Sequence, residues 1–161
     1  MTKAALPHLR AVGGRLIAVS SLGGVIGQPF NEAYCAAKFA LEGFLESLAT
    51  VAASTGVRVS VVEPGPVASE FVAHLEPSVP GLIESAGPYE AAFKAYFATT
   101  AGLFEQAQSS AEAAATVIDV LTAEEPPFRV QTSDLARRLA GIKLADLDGS
   151  AVQAVTGPWL T

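Results

Sequence analysis

One cysteine, Cys35, cannot form a disulfide within the chain, and two histidines, His8 and His74, lie too far apart in sequence to suggest a metal site. Basic residues are scarce and scattered, with one adjacent pair at Arg137 and Arg138. Ten Lys and Arg against 16 Asp and Glu give a net charge of −6, which leaves no electrostatic footprint for nucleic acid or an anionic membrane. No run approaches the roughly 18 apolar residues of a membrane span, and the opening MTKAALPHLRAVGG lacks the apolar block and cleavage site of a secretion signal. The expectation is a cytoplasmic protein. Charged residues make up only 16% against 50% hydrophobic, which excludes disorder, and 161 residues are enough for one domain around one core.

What is present alternates between helix and strand. Residues 1–10 read as the end of a helix broken near Gly13 and Gly14. RLIAVSS, 15–21, is a short aliphatic run ending in two serines, as a buried strand would. In the helix that follows, Asn31 can cap the first turn and Glu32 suits the positive end of the dipole. Phe39, Leu41, Phe44, Leu45 and Leu48 then recur at helical spacing until Gly56. VRVSVVEPG, 57–65, is a second buried strand. Residues 66–108, with Pro66, Pro77, Pro80 and Pro88, read as an insertion or lid whose one helix carries Tyr89, Phe93, Tyr96 and Phe97 on a common face. Ser109 and Glu112 have capping-box spacing before AAATVIDVL, and PPFRVQT supplies a third strand near Phe128. The tail, 133–161, fits no motif. Strands that are apolar throughout and separated by helices imply an α/β fold, with a parallel sheet covered on both faces.

Within that frame three polar side chains form a chemical set. Tyrosine is a poor proton shuttle at neutral pH unless a neighbouring cation favours its phenolate. Lys38 stands four residues after Tyr34, on the same helix face and about 5–6 Å away at the Cβ atoms, so the pair could serve as a general acid or base. A lysine at that spacing is common on surface helices, and the pair alone decides little. Ser21 falls at the carboxyl end of a strand, the edge where open parallel sheets place ligands, and its hydroxyl could donate to a substrate oxygen. Pro64, Gly65 and Pro66 reach the same edge, where a rigid backbone suits a flat ring ligand, although Pro-Gly-Pro by itself is only a turn.

VSSLGG, then PFNEAYCAAKFALEGF with its tyrosine thirteen residues after Ser21, then VVEPGPVASEF together resemble the short-chain dehydrogenase/reductase family. The wording is most similar to the classical branch that contains 17β-hydroxysteroid and retinol dehydrogenases. The resemblance implies the later strands of a Rossmann-type, doubly wound parallel sheet and an oxidoreductase that interconverts an alcohol and a ketone or aldehyde with NAD or NADP. Tyr34 would then exchange a proton with the substrate oxygen. Lys38 would support Tyr34 and bond the nicotinamide ribose, and Ser21 would polarise the carbonyl. Pro64, Gly65 and Val67 would flank the nicotinamide, Ser69 would contact its carboxamide, and Gln28 and Pro66 would face a steroid-like or retinoid-like substrate. Phe93 and Phe97 could join them, although plain core packing is the simpler reading for both. Cys35 reads as a small buried filler. Family members also associate, so a homo-oligomer is expected, with Phe39, Phe44 and Leu48 as candidate contacts.

The family's glycine-rich turn before a first helix, which holds the cofactor's pyrophosphate, has no counterpart here. The expectation is therefore a single partial domain over 1–161, truncated at its amino end, with the lid at 66–108 and the tail at 133–161. RLIAVSS would then form an unpaired apolar sheet edge. The alternatives are a scaffold that keeps the fold without the chemistry, and an epimerase or dehydratase that uses the same tyrosine and lysine.

Overall fold

The computed structural model describes residues 1–70 and 79–161. The lid expected at 66–108 therefore includes a segment, with Pro77 and His74 in it, that lies outside the described residues, as does Phe71 of the family-like wording.

Helix α1 (Thr2–Val12) leads into strand β1 (Arg15–Val19), long helix α2 (Glu32–Ala53) and strand β2 (Arg58–Glu63). A two-residue strand β3 (Val67–Ala68) precedes helices α3 (Val79–Ser85) and α4 (Glu90–Glu105). Strand β4 (Gln108–Ser109), helix α5 (Ser110–Thr122), strand β5 (Arg129–Gln131) and helices α6 (Asp134–Ala145) and α7 (Ser150–Thr156) complete the order. Outside 66–108 helices and strands follow the order read from the pattern, and the described part of 66–108 holds two helices, α3 and α4, where the pattern gave one.

The main sheet is parallel throughout, in the order β1-β2-β5. Arg15 to Val19 pair with Arg58 to Val62, and Val61 to Glu63 pair with Arg129 to Gln131. Because side chains alternate along a strand, Leu16, Ala18, Val59 and Val61 point to one face, where they pack with Leu6 and Leu9 of α1 and Leu41, Leu45 and Leu48 of α2. Arg15 belongs to the opposite face, where its guanidinium donates to the Val120 carbonyl of α5 at 2.9 Å. Fully burying each such aliphatic side chain contributes about 1.5–3 kcal/mol. The sheet's position is thus set by α1 and α2 on one side and α5 on the other. Among the described residues β1 has a strand neighbour on one side only.

The two ends of the insertion are joined to each other. β3 and β4 form a short parallel ladder, Val67 opposite Gln108 and Ala68 opposite Ser109, and the capping box at Ser109 and Glu112 is present in full. The tail is likewise structural. Ser133 caps α6, and Trp159 packs with Leu139 and Val152 onto a second core of Leu22, Val25, Ile26, Ala136 and Ala140.

Candidate active site

Three strand ends open onto one edge of the sheet. β1 runs into Ser20 and Ser21, β2 into Pro64 and Gly65, and β5 into Thr132 and Ser133. Backbone hydrogen bonds hold these ends in register: Ser20 N to Val62 O at 2.7 Å, Leu22 N to Pro64 O at 2.8 Å and Thr132 N to Glu63 O at 3.3 Å. The carboxyl edge of a parallel sheet is where such folds place ligands.

Ser21 is extended (φ −170°, ψ 159°) and caps a single helical turn, Leu22–Gly24, its Oγ accepting from Gly23 N at 3.0 Å. The hydroxyl proton is therefore not consumed by the cap. Gly23 is the point at which Ser21 and Tyr34 meet. A β-carbon there would lie 2.9 Å from Tyr34 Cε1 and 3.5 Å from Ser21 Oγ, so only a glycine lets the phenol ring come down beside the serine. Tyr34 sits in the first turn of α2, and one turn later the Lys38 ammonium stands 5.8 Å from the centre of its ring. Lys38 Nζ also donates to the carbonyls of Ser20 at 3.3 Å and Val19 at 3.5 Å. Phenol, ammonium and hydroxyl converge, all half-buried.

The remaining expected residues divide. Pro64 and Gly65 lie on the same edge, where Gly65 is pressed against the start of α6; a β-carbon on it would come within 2.9 Å of Ser133 Oγ. Val67 is half-buried in the β3 ladder, and Ser69 beyond it is exposed. Gln28 is half-buried before α2, its N–H donating to Cys35 Sγ at 3.4 Å; Cys35 itself is buried, as its filler reading requires. The Pro66 carbonyl is engaged by Gln108 N at 3.2 Å.

Two sequence expectations need correction. Asn31 stands at the N-cap of α2, but its side chain makes no capping bond. Its amide instead donates to the Pro29 carbonyl at 3.1 Å and to the Tyr96 hydroxyl of α4. Tyr89 does not share a face with the other aromatics; it precedes α4 and is exposed, while Phe93, Tyr96 and Phe97 stack edge to face. Phe30 completes that cluster, with ring centres 4.8 Å from Phe93 and 5.7 Å from Tyr96.

Phe30 is also, among the described residues, the one non-glycine residue with positive φ, at 58°. It occupies the third position of the turn Gln28–Asn31, closed by Asn31 N to Gln28 O at 3.2 Å, and a left-handed residue there is ordinarily Gly or Asn. Holding a phenylalanine in that conformation costs about 1–3 kcal/mol. Two edge-to-face ring pairs at about 0.5–1.5 kcal/mol each, with a hydrogen bond of about 1 kcal/mol, are of matching size.

A second group escaped the sequence reading. Glu63, the last residue of β2, is fully buried, and Glu42 of α2 nearly so. Between them Arg129 reaches Glu63 Oε1 at 2.7 Å, Glu42 Oε2 at 3.3 Å and the more exposed Glu46 at 3.1 Å, while Gln131 Nε2 donates to Glu63 Oε2 at 2.9 Å. Burial, above all, raises the Glu63 carboxyl above the usual range; Gln131 and Arg129 act against it, and nearby Glu42 adds to it. Burial would depress Arg129, but Glu46, Glu63 and Glu42 together outweigh that and hold its guanidinium charged. A carboxylate directly after the apolar pair Val61 and Val62 at the end of the strand was the available signal.

Residues 1–79 match the short chain dehydrogenase family model. Over 153 residues the chain is 36% identical to 17-beta-hydroxysteroid dehydrogenase type 1 of Homo sapiens, covering 93% of this chain and 47% of that protein. It is 36% identical over 158 residues to retinol dehydrogenase 8 of Bos taurus, covering 93% and 50%. The chain thus spans about half the length of the curated relatives it matches. A short chain dehydrogenase from Burkholderia cenocepacia J2315, solved in complex with NADP, shares the fold with a TM-score of 0.69 at 24% identity, over 97% of this chain and 52% of that one.

Proposed function

The chain belongs to the short-chain dehydrogenase family, and from that premise we propose that it carries the proton-transfer half of an NAD(P)-dependent alcohol and carbonyl oxidoreductase. The observation that carries the reading is the meeting of Ser21 Oγ and the Tyr34 ring at Gly23, with Lys38 beside them, on the carboxyl edge of the sheet. Ser21 donates its free proton to the substrate oxygen. Tyr34 exchanges a proton with that oxygen at its phenol, and Lys38 supplies positive charge next to the ring.

Donor chemistry supports a place for the nicotinamide end of the cofactor. Among the described residues Lys38 spends two of its three N–H donors, on the long contacts to Ser20 and Val19, which leaves one for a ribose hydroxyl. Pro64, Gly65 and Val67 supply backbone for the ring, and Ser69 a hydroxyl. When bound, the nicotinamide accepts or delivers the hydride. Gln28 and Pro66 are assigned to the substrate side, and the relatives' names point to a steroid-like or retinoid-like alcohol. The exposed Phe39 and Phe44 of α2 support self-association, whereas Leu48 is taken up by the core. A cytoplasmic location fits a chain in which no helix of the described residues is long and apolar enough to cross a membrane.

The test is nicotinamide absorbance with hydroxysteroids and retinol, run on the 161-residue chain and on the same chain joined to the amino-terminal half of one of its relatives. Turnover in either, lost in Tyr34→Phe, supports the reading. Cofactor binding without turnover in both would leave a non-catalytic scaffold as the better description.

A further inference from the structure

We propose that Asn31 and Tyr96 are positioning residues that place Tyr34, through a clamp joining the aromatic helix α4 to the first turn of α2. The inference rests on the reading of Tyr34 as the proton-transfer residue, and it adds a role for α4 other than covering the substrate.

The argument starts from a side chain that is not where its position calls for it. Asparagine at an N-cap ordinarily accepts a hydrogen bond from its own helix. Asn31 instead turns its amide away from α2 and donates to Tyr96, 65 residues further along the chain. Tyr34 is the third residue after Asn31, less than one helical turn on, so whatever fixes Asn31 fixes the start of the helix that aims the phenol.

The residue before Asn31 tells the same story independently. Phe30 holds a left-handed conformation that phenylalanine does not adopt unaided, and among the described residues the rings packed against it, Phe93 and Tyr96, both come from α4. Tyr96 thus acts twice, with its ring on Phe30 and its hydroxyl on Asn31, and it is itself buried. If α4 withdraws, both supports go together and the strained turn can relax, carrying the first turn of α2 with it. Occupancy on the substrate side of α4 would then be felt at Tyr34 without touching it.

The experiment uses the whole chain, which has only three tyrosines, Tyr34, Tyr89 and Tyr96. Labelling them with 13C at the ring ε carbons gives three signals, assigned through Tyr34→Phe, Tyr89→Phe and Tyr96→Phe. Tyr96→Phe keeps the ring and deletes only the hydroxyl, and Asn31→Ala deletes the other partner without removing a cap. Each is expected to shift or broaden the Tyr34 signal, and the double variant is expected to do no more than the larger single change, since both break one contact. Tyr89→Phe should leave Tyr34 in place. In an assembly that turns over, Tyr96→Phe lowers kcat about tenfold with the KM for cofactor unchanged.

An unmoved Tyr34 signal in Tyr96→Phe and Asn31→Ala, or full additivity in the double variant, would overturn the clamp. Should Tyr96→Phe fail to fold, Asn31→Ala carries the test alone. A Tyr34 signal that moves while neither the chain nor its fusion to a relative's amino-terminal half turns over upholds the clamp and sinks the enzymatic reading. Turnover with an unmoved signal does the reverse.

Discussion

Gly23 and Tyr34 touch so closely that a methyl group does not fit between them: a β-carbon on residue 23 would lie 2.9 Å from Tyr34 Cε1 and 3.3 Å from Cδ1. Gly23→Ala must therefore push the ring away from Ser21. The overpacking should cost about 1–3 kcal/mol of stability, and a displacement of about 1 Å at the phenol should lower turnover about 100-fold. Gly27→Ala is the control, because among the described residues nothing lies within 4 Å of its would-be β-carbon. Denaturant midpoints and initial rates for the two variants decide the matter; equal behaviour would mean that the ring does not need its place beside Ser21.

Tyr34→Phe and Ser21→Ala separate chemistry from packing. Tyr34→Phe keeps the ring against Gly23, so the variant should still unfold in one cooperative transition while kcat falls by about 100-fold or more. Ser21→Ala loses the cap on the turn Leu22–Gly24 as well, so it should lose both rate and about 1 kcal/mol of stability. A Tyr34→Phe protein that turns over at an undiminished rate would remove the phenol from the mechanism.

The elements were legible because their signals are local. Apolar strands ending in Ser21 and in Pro64, the i, i+4 spacing of Tyr34 and Lys38, and the capping box at Ser109 all fall within a few residues of one another, and the coordinates follow them. What escaped depends on contacts between distant segments. Asn31 has the right identity and position for a cap, yet Tyr96 takes its side chain, and no rule of helix ends anticipates a partner 65 residues away. Glu63 looked like an ordinary strand end until β5 brought Arg129 and Gln131 alongside it. Leu48 and Phe44 were equal candidates for an association face by spacing, and only the placement of the sheet separates the buried one from the exposed one.

The capping box at the start of α5 gives a prediction outside the site. Ser109 Oγ accepts from Glu112 N at 3.2 Å, and Glu112 Oε2 takes the Ser109 N–H at 2.7 Å. Ser109→Ala should cost about 1 kcal/mol. The backbone and side chain of Ser109 hold the Glu112 carboxyl below its usual range. Its contribution is therefore present above the ordinary value near 4.5 and is lost as pH falls through the lower folded value. Glu112→Gln should flatten that acid-side loss, as read from melting temperature against pH; an unchanged profile would mean the box is not formed in solution.

Glu63 works in the opposite direction. Burial raises its carboxyl, so the folded protein holds that proton more tightly than the unfolded chain does. The stability this provides is fully present below the ordinary value near 4.5 and is lost as pH rises through the higher folded value. Glu63→Gln keeps an oxygen to accept from Gln131 and cannot ionise, so it should remove the decline and leave the variant relatively more stable toward neutral pH. Arg129→Met does the reverse: it strips the compensating charge from the buried Glu63 carboxylate, which should cost about 3–5 kcal/mol at neutral pH and less in acid, where Glu63 takes up its proton. The pair of unfolding curves across pH 4–8 is diagnostic because the two substitutions tilt the slope in opposite senses. Parallel slopes in wild type, Glu63→Gln and Arg129→Met would show that the cluster is hydrated in solution and that Glu63 titrates as an exposed acid.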